Sequence, residues 1–354
     1  MTMPSKDIIL PVNPGLLWKE WQQNRLYFLA AFLVMTYDTI MKPLGYWIKG
    51  MLGSAAGAYT MIGALDQISN VLSAAAYHNT MEQIGPFIVL LLGVTILIQE
   101  RSGSLNYLIS TPVSRKEIIV AKSCTGSAAI AGIMAVNALF LIITGLMWPV
   151  DYSTVLVIKW TVLTTAIFIA IFNLGLMVAS FTGNWFSAIV LSMLLANLPS
   201  MLRNLLINST TMEIFNLSPA FIHRVNMMAH YLTIPAYITR DSEYMRNAPL
   251  ATQLYPAYPL ETMILVLLTA LLLLLAIRIF QNNPLENNGQ MLMSNRAAHI
   301  AVIILALLLG WGTALSRAES AIAGFLITMV LGSIIAYLAI VLLQTLVYYI
   351  RRGR

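Results

Sequence analysis

Long apolar runs alternate with short polar segments along most of the chain. Runs of about 20 residues recur, and an α-helix of that length crosses the hydrocarbon core of a bilayer. The predicted spans are residues 26–47, 84–99, 124–148, 155–181, 185–206, 260–280, 300–315 and 322–350. The pattern therefore predicts an all-α integral membrane protein with about eight transmembrane helices and both termini in the cytoplasm.

The first 25 residues are more polar than the runs that follow. We predict a polar tail and then an amphipathic elbow helix in the membrane interface, because charged and apolar residues alternate every few positions. The residues that define this helix are Trp18, Lys19, Glu20, Trp21 and Arg25. The same residues could instead begin the first span. Residues 1–25 are thus assigned to tail and elbow, and residues 26–350 to a single transmembrane domain.

A polar segment, residues 99–123, separates the second and third predicted spans. Its Thr111–Pro112 pair ends a helix arriving from the N-terminal side, because Pro lacks an amide donor and restricts the residue before it. Ser114 lies three residues before Glu117, the spacing of a capping box that begins a new helix. The charged residues are Glu100, Arg101, Arg115, Lys116, Glu117 and Lys122. Four of these six are basic, so we predict a cytoplasmic hairpin made of a short helix, a break and a second helix.

Two longer polar regions are predicted outside the membrane, at residues 48–83 and 207–259, the second between spans 5 and 6. The second region contains His223 and His230. Two histidines alone supply too few ligands for a zinc site, so ordinary surface histidines are expected. The region could cover a lateral exit or be only a folded loop.

Asp38 and Lys42 are opposite charges four residues apart within the first predicted span. On an α-helix they share one face, and in lipid they need a partner or water. They could belong to a polar translocation path. The alternative, which Pro43 and Gly45 favour by indicating the end of the helix, is a neutralised pair near the outer headgroups.

Three further polar residues, Asn137, Asn173 and Asn197, place one amide in each of spans 3, 4 and 5. An amide in lipid needs hydrogen-bond partners, so we expect these side chains to bond across helices. Lining of a pore is the alternative role.

Composition agrees with a membrane protein and excludes several other classes. Hydrophobic residues are 59% of the chain, charged residues 10%, and mean hydropathy is +0.79. The net charge of +6 comes from basic residues at span ends, which favours a topological role over nucleic-acid binding. The single cysteine rules out an intrachain disulfide. No phosphate-binding loop, His-Glu-x-x-His motif or nucleophile elbow is present, so no metal or cofactor is expected on this chain, and it is not expected to be an enzyme.

The polar segment resembles the cytoplasmic loop of ATP-binding-cassette (ABC) type-2 permeases. The matching residues are Glu100, Gly103, Leu108, Pro112, Val113, Ser114, Arg115, Glu117, Ile118 and Lys122. The N-terminal sequence LLWKEWQQNRLYF is similar to the elbow helix of the same family. The resemblance is nearest to the Ytr-like permeases of Gram-positive bacteria.

The resemblance implies the membrane subunit of an ATP-driven exporter in a bacterial cell membrane. A separate cytoplasmic ABC ATPase, which binds ATP and Mg, would dock on residues 99–123. The family pattern implies two permease chains, identical or paired with a sister subunit, surrounded by membrane lipid. The docking residues carried over are Glu100, Arg101, Gly103, Pro112, Arg115, Lys116, Glu117 and Lys122. The same residues could instead serve only helix capping and topology.

Sparse charge within the spans favours an amphipathic, lipid-like or peptide cargo over a highly charged one. Two other functions remain open. An ion-coupled secondary transporter would require a role for Asp38, the carboxylate in the first span. A non-transporting scaffold or sensor would bind partners without cargo-dependent ATP hydrolysis.

Overall fold

The computed structural model describes most of the chain, with gaps at both ends and in several connections. The described residues are 14–51, 80–103, 113–147, 153–207, 218–239, 258–282, 307, 310–311, 313–314 and 322–352. Within these ranges the secondary structure is helical and contains no strand. The prediction of an all-α membrane protein is confirmed.

The helices are numbered here in chain order. They are α1 (Pro14–Met35), a π-helical turn (Tyr37–Met41), α2 (Lys42–Met51), α3 (Thr80–Gly103), α4 (Arg115–Met147), α5 (Thr154–Phe181), α6 (Trp185–Leu206), α7 (Pro219–Leu232), α8 (Ala236–Thr239), α9 (Tyr258–Asn282) and α10 (Ile322–Arg352). The bounds of α5, α6 and α9 lie within two residues of the predicted spans, because each is a long apolar run with polar residues at both ends.

The helix α1 is continuous from Pro14 through Met35, so the structure does not separate an elbow helix from the first span. One of the residues that define the predicted elbow helix, Glu20, is buried at 0% exposure, and Asn24 one turn later is 1% exposed. The Glu20 carboxylate contacts Lys122 on α4 rather than water, so at this position the spacing of charges does not indicate an exposed face.

The end of the first predicted span also differs from the expectation. Pro43 and Gly45 were interpreted as the end of the helix, but α2 runs through both to Met51. The π-helical turn precedes them, and the Met41 amide donates to the Thr36 carbonyl five residues earlier at 3.2 Å. Pro43 is then the second residue of α2, where an amide donor is not needed.

The helix α4 merges two predicted elements. The second helix of the cytoplasmic hairpin and the third span form one unbroken helix of 33 residues. The helix α3 continues past the predicted end of span 2 to Gly103, so it includes the first residues of the polar segment 99–123. The break predicted at Thr111–Pro112 lies outside the described residues.

Four described helices are long and apolar enough to cross a membrane. Their spanning segments are Arg115–Met147, Thr154–Phe181, Trp185–Asn204 and Pro259–Asn282. Shorter apolar segments occur at Ile84–Gln99 and Leu326–Ala339. Most of the predicted seventh span lies outside the described residues, so the count of eight spans stays a prediction.

The described helices belong to two compact units. The first contains α1 to α5 and α9, and the second contains α6, α7 and α10. In the first unit α5 packs against α3, α4 and α9. Of its apolar segment 72% is buried, against 33% for α4 and 22% for α9. The helix α5 has one charged residue, Lys159 near its start, and apolar residues on every side, so it forms the core of this unit.

Two glycines allow α3 and α5 to approach each other closely. A Cβ atom added at Gly93 would collide with the Phe172 carbonyl oxygen, and one added at Gly175 would lie 2.7 Å from the Leu90 carbonyl oxygen. Small residues are the usual means by which membrane helices bring their backbones together. These positions therefore depend on glycine.

In the second unit α6 packs against α7. The N-cap residue of α7 is Ser218, whose side-chain oxygen accepts a hydrogen bond from the Phe221 amide, and Pro219 is the first helical residue. Gly310 and Thr313 pack against small residues of α10, and a Cβ at Gly310 would collide with Ser333. His223 is exposed, and His230 contacts Tyr231 and Tyr237.

Candidate functional site

The described part of the 99–123 segment resumes just before α4 with the predicted capping box. The Ser114 amide donates to Glu117 Oε2 at 3.1 Å, and the Glu117 amide donates to Ser114 Oγ at 3.2 Å. These reciprocal bonds pair two backbone donors that a helix start otherwise leaves without partners. The capping-box prediction is confirmed, and α4 begins at a defined cap.

Two basic residues follow the cap in different environments. Arg115 Nη1 donates to the Gln281 carbonyl oxygen at 3.2 Å, which connects the start of α4 with the end of α9. Lys116 is exposed. This helix start therefore presents Lys116 to the solvent beside the partly exposed Glu117, while Arg115 is held against a neighbouring helix.

Lys122 lies about two turns further along α4 and is 1% exposed. Its ammonium donates to the two carboxylate oxygens of Glu20 at 3.0 and 2.8 Å, and to the Ile96 carbonyl oxygen at 3.1 Å. One side chain thus joins α4 to both α1 and α3. The prediction that placed Lys122 on a docking surface is wrong, because its charge is compensated inside the protein.

Glu20 is the anionic partner in this contact. Asn24, one turn later on α1, donates to Glu20 Oε2 at 3.3 Å and to the Glu20 carbonyl at 2.9 Å. Lys19 Nζ lies 3.4 Å from Glu20 Oε1, with its side chain 31% exposed. An isolated buried carboxylate is very unfavourable, whereas a paired and hydrogen-bonded one is tolerated. The Glu20–Lys122 pair therefore joins α1 to α4, while Lys122 also reaches α3, and the Glu20 side chain is not exposed at an interfacial surface.

A second polar contact between the same two helices lies deeper. Asn137 Nδ2 donates to the Met35 carbonyl oxygen at 3.4 Å and to the Ile133 carbonyl oxygen at 3.2 Å, and its Oδ1 accepts a hydrogen bond from Thr39. Lys122 and Asn137 are 15 residues apart on α4, and Glu20 and Met35 are 15 apart on α1. Equal spacing shows that α1 and α4 run parallel and are joined at two levels.

The two other predicted amides differ from each other. Asn173 Oδ1 accepts from Ser123 Oγ at 2.6 Å, so it bonds across from α5 to α4. Asn197 is exposed and donates to Met193 on its own helix at 2.9 Å. Of the three predicted amides, Asn137 and Asn173 contact a neighbouring helix through the bonds described, and the Asn197 bond stays within α6.

The remaining predicted residues are placed as follows. Asp38 is buried in the π-helical turn at 6% exposure, and Lys42 is partly exposed at the start of α2. Trp18 and Trp21 are exposed, and Trp21 stacks on Phe28 with ring centroids 5.4 Å apart. Arg25 is also exposed. Glu100, Arg101 and Gly103 lie in the last turn of α3, with their side chains outside the described part, and Pro112 lies outside it altogether.

Sequence reasoning missed the pairing of Glu20 with Lys122. A signal was present, because Lys122 follows the apolar run Ile118–Ala121 on a helix that enters the membrane. A cation in such a position needs a nearby counter-charge. The partner could not be chosen from sequence, since it is 102 residues away and several acidic residues were available.

Comparison with known proteins assigns the chain to a family. A sequence model described as "ABC-2 family transporter protein" matches residues 16–285, which include α1 to α9. The chain belongs to the ABC-2 transporter family. It is also similar to the "Probable ABC transporter permease YtrD" of Bacillus subtilis (strain 168), with 25% identity over 331 residues, 92% of this chain and 95% of the relative.

As an ABC-2 family permease, the protein is a multi-pass membrane subunit of an ABC transporter. The family match covers the capping box, the Glu20–Lys122 pair and the Asn137 contact together. None of these groups forms a nucleophile–base arrangement, and within the described residues no cluster of three or more His, Cys, Asp or Glu could hold a metal ion. The described polar contacts join α4 to α1, α3 and α9.

Proposed function

We propose that this chain is the permease subunit of an ATP-driven exporter and that a separate cytoplasmic ABC ATPase docks on residues 99–123. Membership of the ABC-2 family supports association with such an ATPase. The observation that carries the location is the capped start of α4, with Lys116 exposed beside Glu117. A fixed helix end with exposed charge gives a soluble partner a rigid surface to bind and push.

Movement applied at this helix start would pass into the membrane along α4. The Lys122 ammonium connects α4 with Glu20 on α1 and with the Ile96 carbonyl on α3. Arg115 connects the same helix start with the end of α9. A displacement of the loop therefore moves at least three neighbouring helices together. This is the mechanical step by which ATP binding and hydrolysis in the partner would switch the permease between states.

The cargo is proposed to be amphipathic, either lipid-like or a peptide. The described spans contain few charges: α5 has Lys159 near its start, and α9 has Glu261 and Arg278 near its two ends. A strongly charged cargo would need compensating charges along the spans. A second permease chain, identical or related, would complete the transporter, and both termini would lie in the cytoplasm.

The test is co-purification in mild detergent with an ABC ATPase encoded beside this gene. The wild-type chain is compared with Lys116→Glu, which reverses an exposed charge at the docking surface. Opposed like charges at an interface cost enough to weaken binding about tenfold. The matched control is Lys159→Glu, which reverses an exposed lysine at the start of α5.

We expect the ATPase to co-elute with the wild type and with Lys159→Glu, and to be depleted from Lys116→Glu while that variant still elutes as a single folded species. If Lys116→Glu retains as much ATPase as the wild type, the ATPase does not dock at this helix start. If no ATPase binds the wild-type chain, the ATP-driven proposal is overturned and the ion-coupled alternative is tested next at Asp38.

A further inference from the structure

An apolar cleft of about 760 Å³ lies between α1 and α4. On α1 it is lined by one helical stripe that includes Trp21, Arg25, Phe28 and Phe32. Its volume is within the range of roughly 300–1,000 Å³ that is usual for ligand sites. Among the lining side chains Arg25 is the charged one. The cleft is therefore a long apolar slot with a cation about midway along its α1 wall, which runs from Leu17 to Phe32.

The geometry of the two helices explains why the cleft exists. They are joined at the level of Glu20 and Lys122 and again at the level of Met35 and Asn137. The two levels are 15 residues apart, about 22 Å at 1.5 Å per residue. Most of the lining lies between them, where α4 presents small residues. A Cβ atom added at Gly132 would meet nothing within 4 Å.

The half of the cleft that runs from Leu17 to Arg25 lies toward the predicted cytoplasmic surface. Arg25 is exposed, and within the described part of the chain its guanidinium has no ion pair or hydrogen bond. Trp21 lies one turn earlier on the same stripe, at 46% exposure. Tryptophan and arginine at the end of a span are the residues that contact lipid headgroups, and basic residues attract the anionic lipids of the cytoplasmic leaflet.

We propose that the cleft binds one acyl chain of an anionic phospholipid, with its phosphate on Arg25 and its chain between the two helices. The chemistry selects this occupant, because a phospholipid supplies both an extended apolar chain and a negative charge at one end. A helix of a second copy would fill the slot but would leave Arg25 without a counter-charge. The lipid is a resident of the site and not the cargo, so this inference does not depend on the ATPase.

The first test is native mass spectrometry of the full-length chain in detergent with added phosphatidylglycerol or phosphatidylcholine of the same acyl chains. We expect one phosphatidylglycerol to be retained in preference to phosphatidylcholine. Arg25→Gln should reduce its retention about fivefold, the effect expected of one basic residue at an anionic surface. Arg278→Gln, which removes an exposed arginine near the end of α9, is the matched control and should bind as the wild type.

The second test fills the slot. Gly132→Leu should reduce retention of both lipids, whereas Gly45→Leu should not, although a Cβ at either glycine meets nothing within 4 Å. Binding by Gly132→Leu at the wild-type level would overturn the assignment to this cleft. Equal retention of the two lipids by the wild type would overturn the role of Arg25. A shift from dimer to monomer on Gly132→Leu, with lipid retention unchanged, would replace the lipid by a second copy.

The single cysteine provides a readout that needs no substitution. Cys124 is exposed and lines the same cleft. Its alkylation by N-ethylmaleimide should be slower in phosphatidylglycerol vesicles than in phosphatidylcholine vesicles, and this difference should vanish in Arg25→Gln.

If Arg25→Gln does not fold, Arg25→Lys keeps the charge and should retain the slow alkylation. Equal rates in the two wild-type preparations would contradict the proposal, as would loss of the difference in a folded Arg25→Lys. Release of the bound lipid on ATP turnover would identify it as cargo and contradict a resident lipid.

Discussion

Removing the ammonium of Lys122 is the most informative single change to this fold. In Lys122→Met the side chain keeps its length and apolar stem but loses its hydrogen bonds to Glu20 and Ile96. The carboxylate of Glu20 then remains buried with Asn24 and the weaker contact to Lys19 at 3.4 Å. Breaking a buried ion pair in this way costs roughly 3–5 kcal/mol. The residual partners place this case near the lower end, at about 3 kcal/mol.

A loss of about 3 kcal/mol lowers the melting temperature by roughly 4 °C for a chain of this size, because the unfolding entropy is about 2.1 cal/mol/K per residue. The assay is thermal unfolding in detergent, followed by size-exclusion chromatography of the fluorescently tagged chain. Glu20→Leu alone should destabilise to a similar degree, because it leaves the ammonium buried without its counter-charge. The control is Lys159→Met, an exposed substitution that should change stability by no more than about 0.5 kcal/mol.

The double variant Glu20→Leu/Lys122→Met separates the pair from its parts. Replacing both charges by apolar residues of similar volume is often neutral or stabilising. We therefore expect the double variant to melt close to the wild type, so that the coupling energy in the double-mutant cycle equals the two single effects together, about 6 kcal/mol. A Lys122→Met variant that melts within about 2 °C of the wild type would refute the reasoning. So would a double variant that is destabilised by the sum of the two single effects.

Three further predictions follow from other contacts. Ser114→Ala should lower the free energy of unfolding by about 1 kcal/mol and weaken ATPase co-purification, because the Glu117 amide loses its acceptor. Glu117→Gln preserves a capping side chain and should keep this helix start folded. Hydrogen exchange at the backbone amide of residue 117 distinguishes the two variants, and equal protection in both would contradict the cap. Gly93→Ala should lower the melting temperature, because the added Cβ collides with the Phe172 carbonyl oxygen. The control Gly45→Ala should leave the melting temperature unchanged, because its Cβ meets nothing within 4 Å. Equal melting temperatures of the two variants would show that α3 and α5 do not require a glycine at position 93. Asp38→Asn should keep cargo-dependent ATP hydrolysis in the assembled transporter, and loss of transport with the ATPase still bound would favour the ion-coupled alternative.

The features that could be predicted from the sequence are those set by residues close together in the chain, namely a helix cap and the ends of two helices. The capping box at Ser114 and Glu117 needs contacts only three residues apart, and the structure contains both of its hydrogen bonds. The bounds of α5 and α6 followed from long apolar runs with polar ends. In each case the determining interactions lie within one helix, so a single sequence contains the necessary information.

Contacts between distant segments could not be predicted in the same way. Glu20 and Lys122 each carry a charge that usually indicates exposure, and sequence reasoning assigned both to surfaces. The structure buries them together because α1 and α4 run parallel at a matched register. The sequence also did not predict that α2 continues through Pro43. A π-helical turn, Tyr37–Met41, lies directly before α2 and places Pro43 in its first turn. No local pattern in the sequence indicates where such a turn occurs.

The central claim is that a separate ATPase contacts the start of α4. The most direct measurement is site-specific photo-cross-linking with a benzoylphenylalanine residue at position 116, in cells that co-express the neighbouring ABC ATPase. The same residue at position 159, also exposed in the wild-type structure, is the control. The account predicts a cross-linked permease–ATPase species from position 116 and none from position 159. An assembled transporter that gives no such species from position 116, or gives it equally from both positions, would contradict the account.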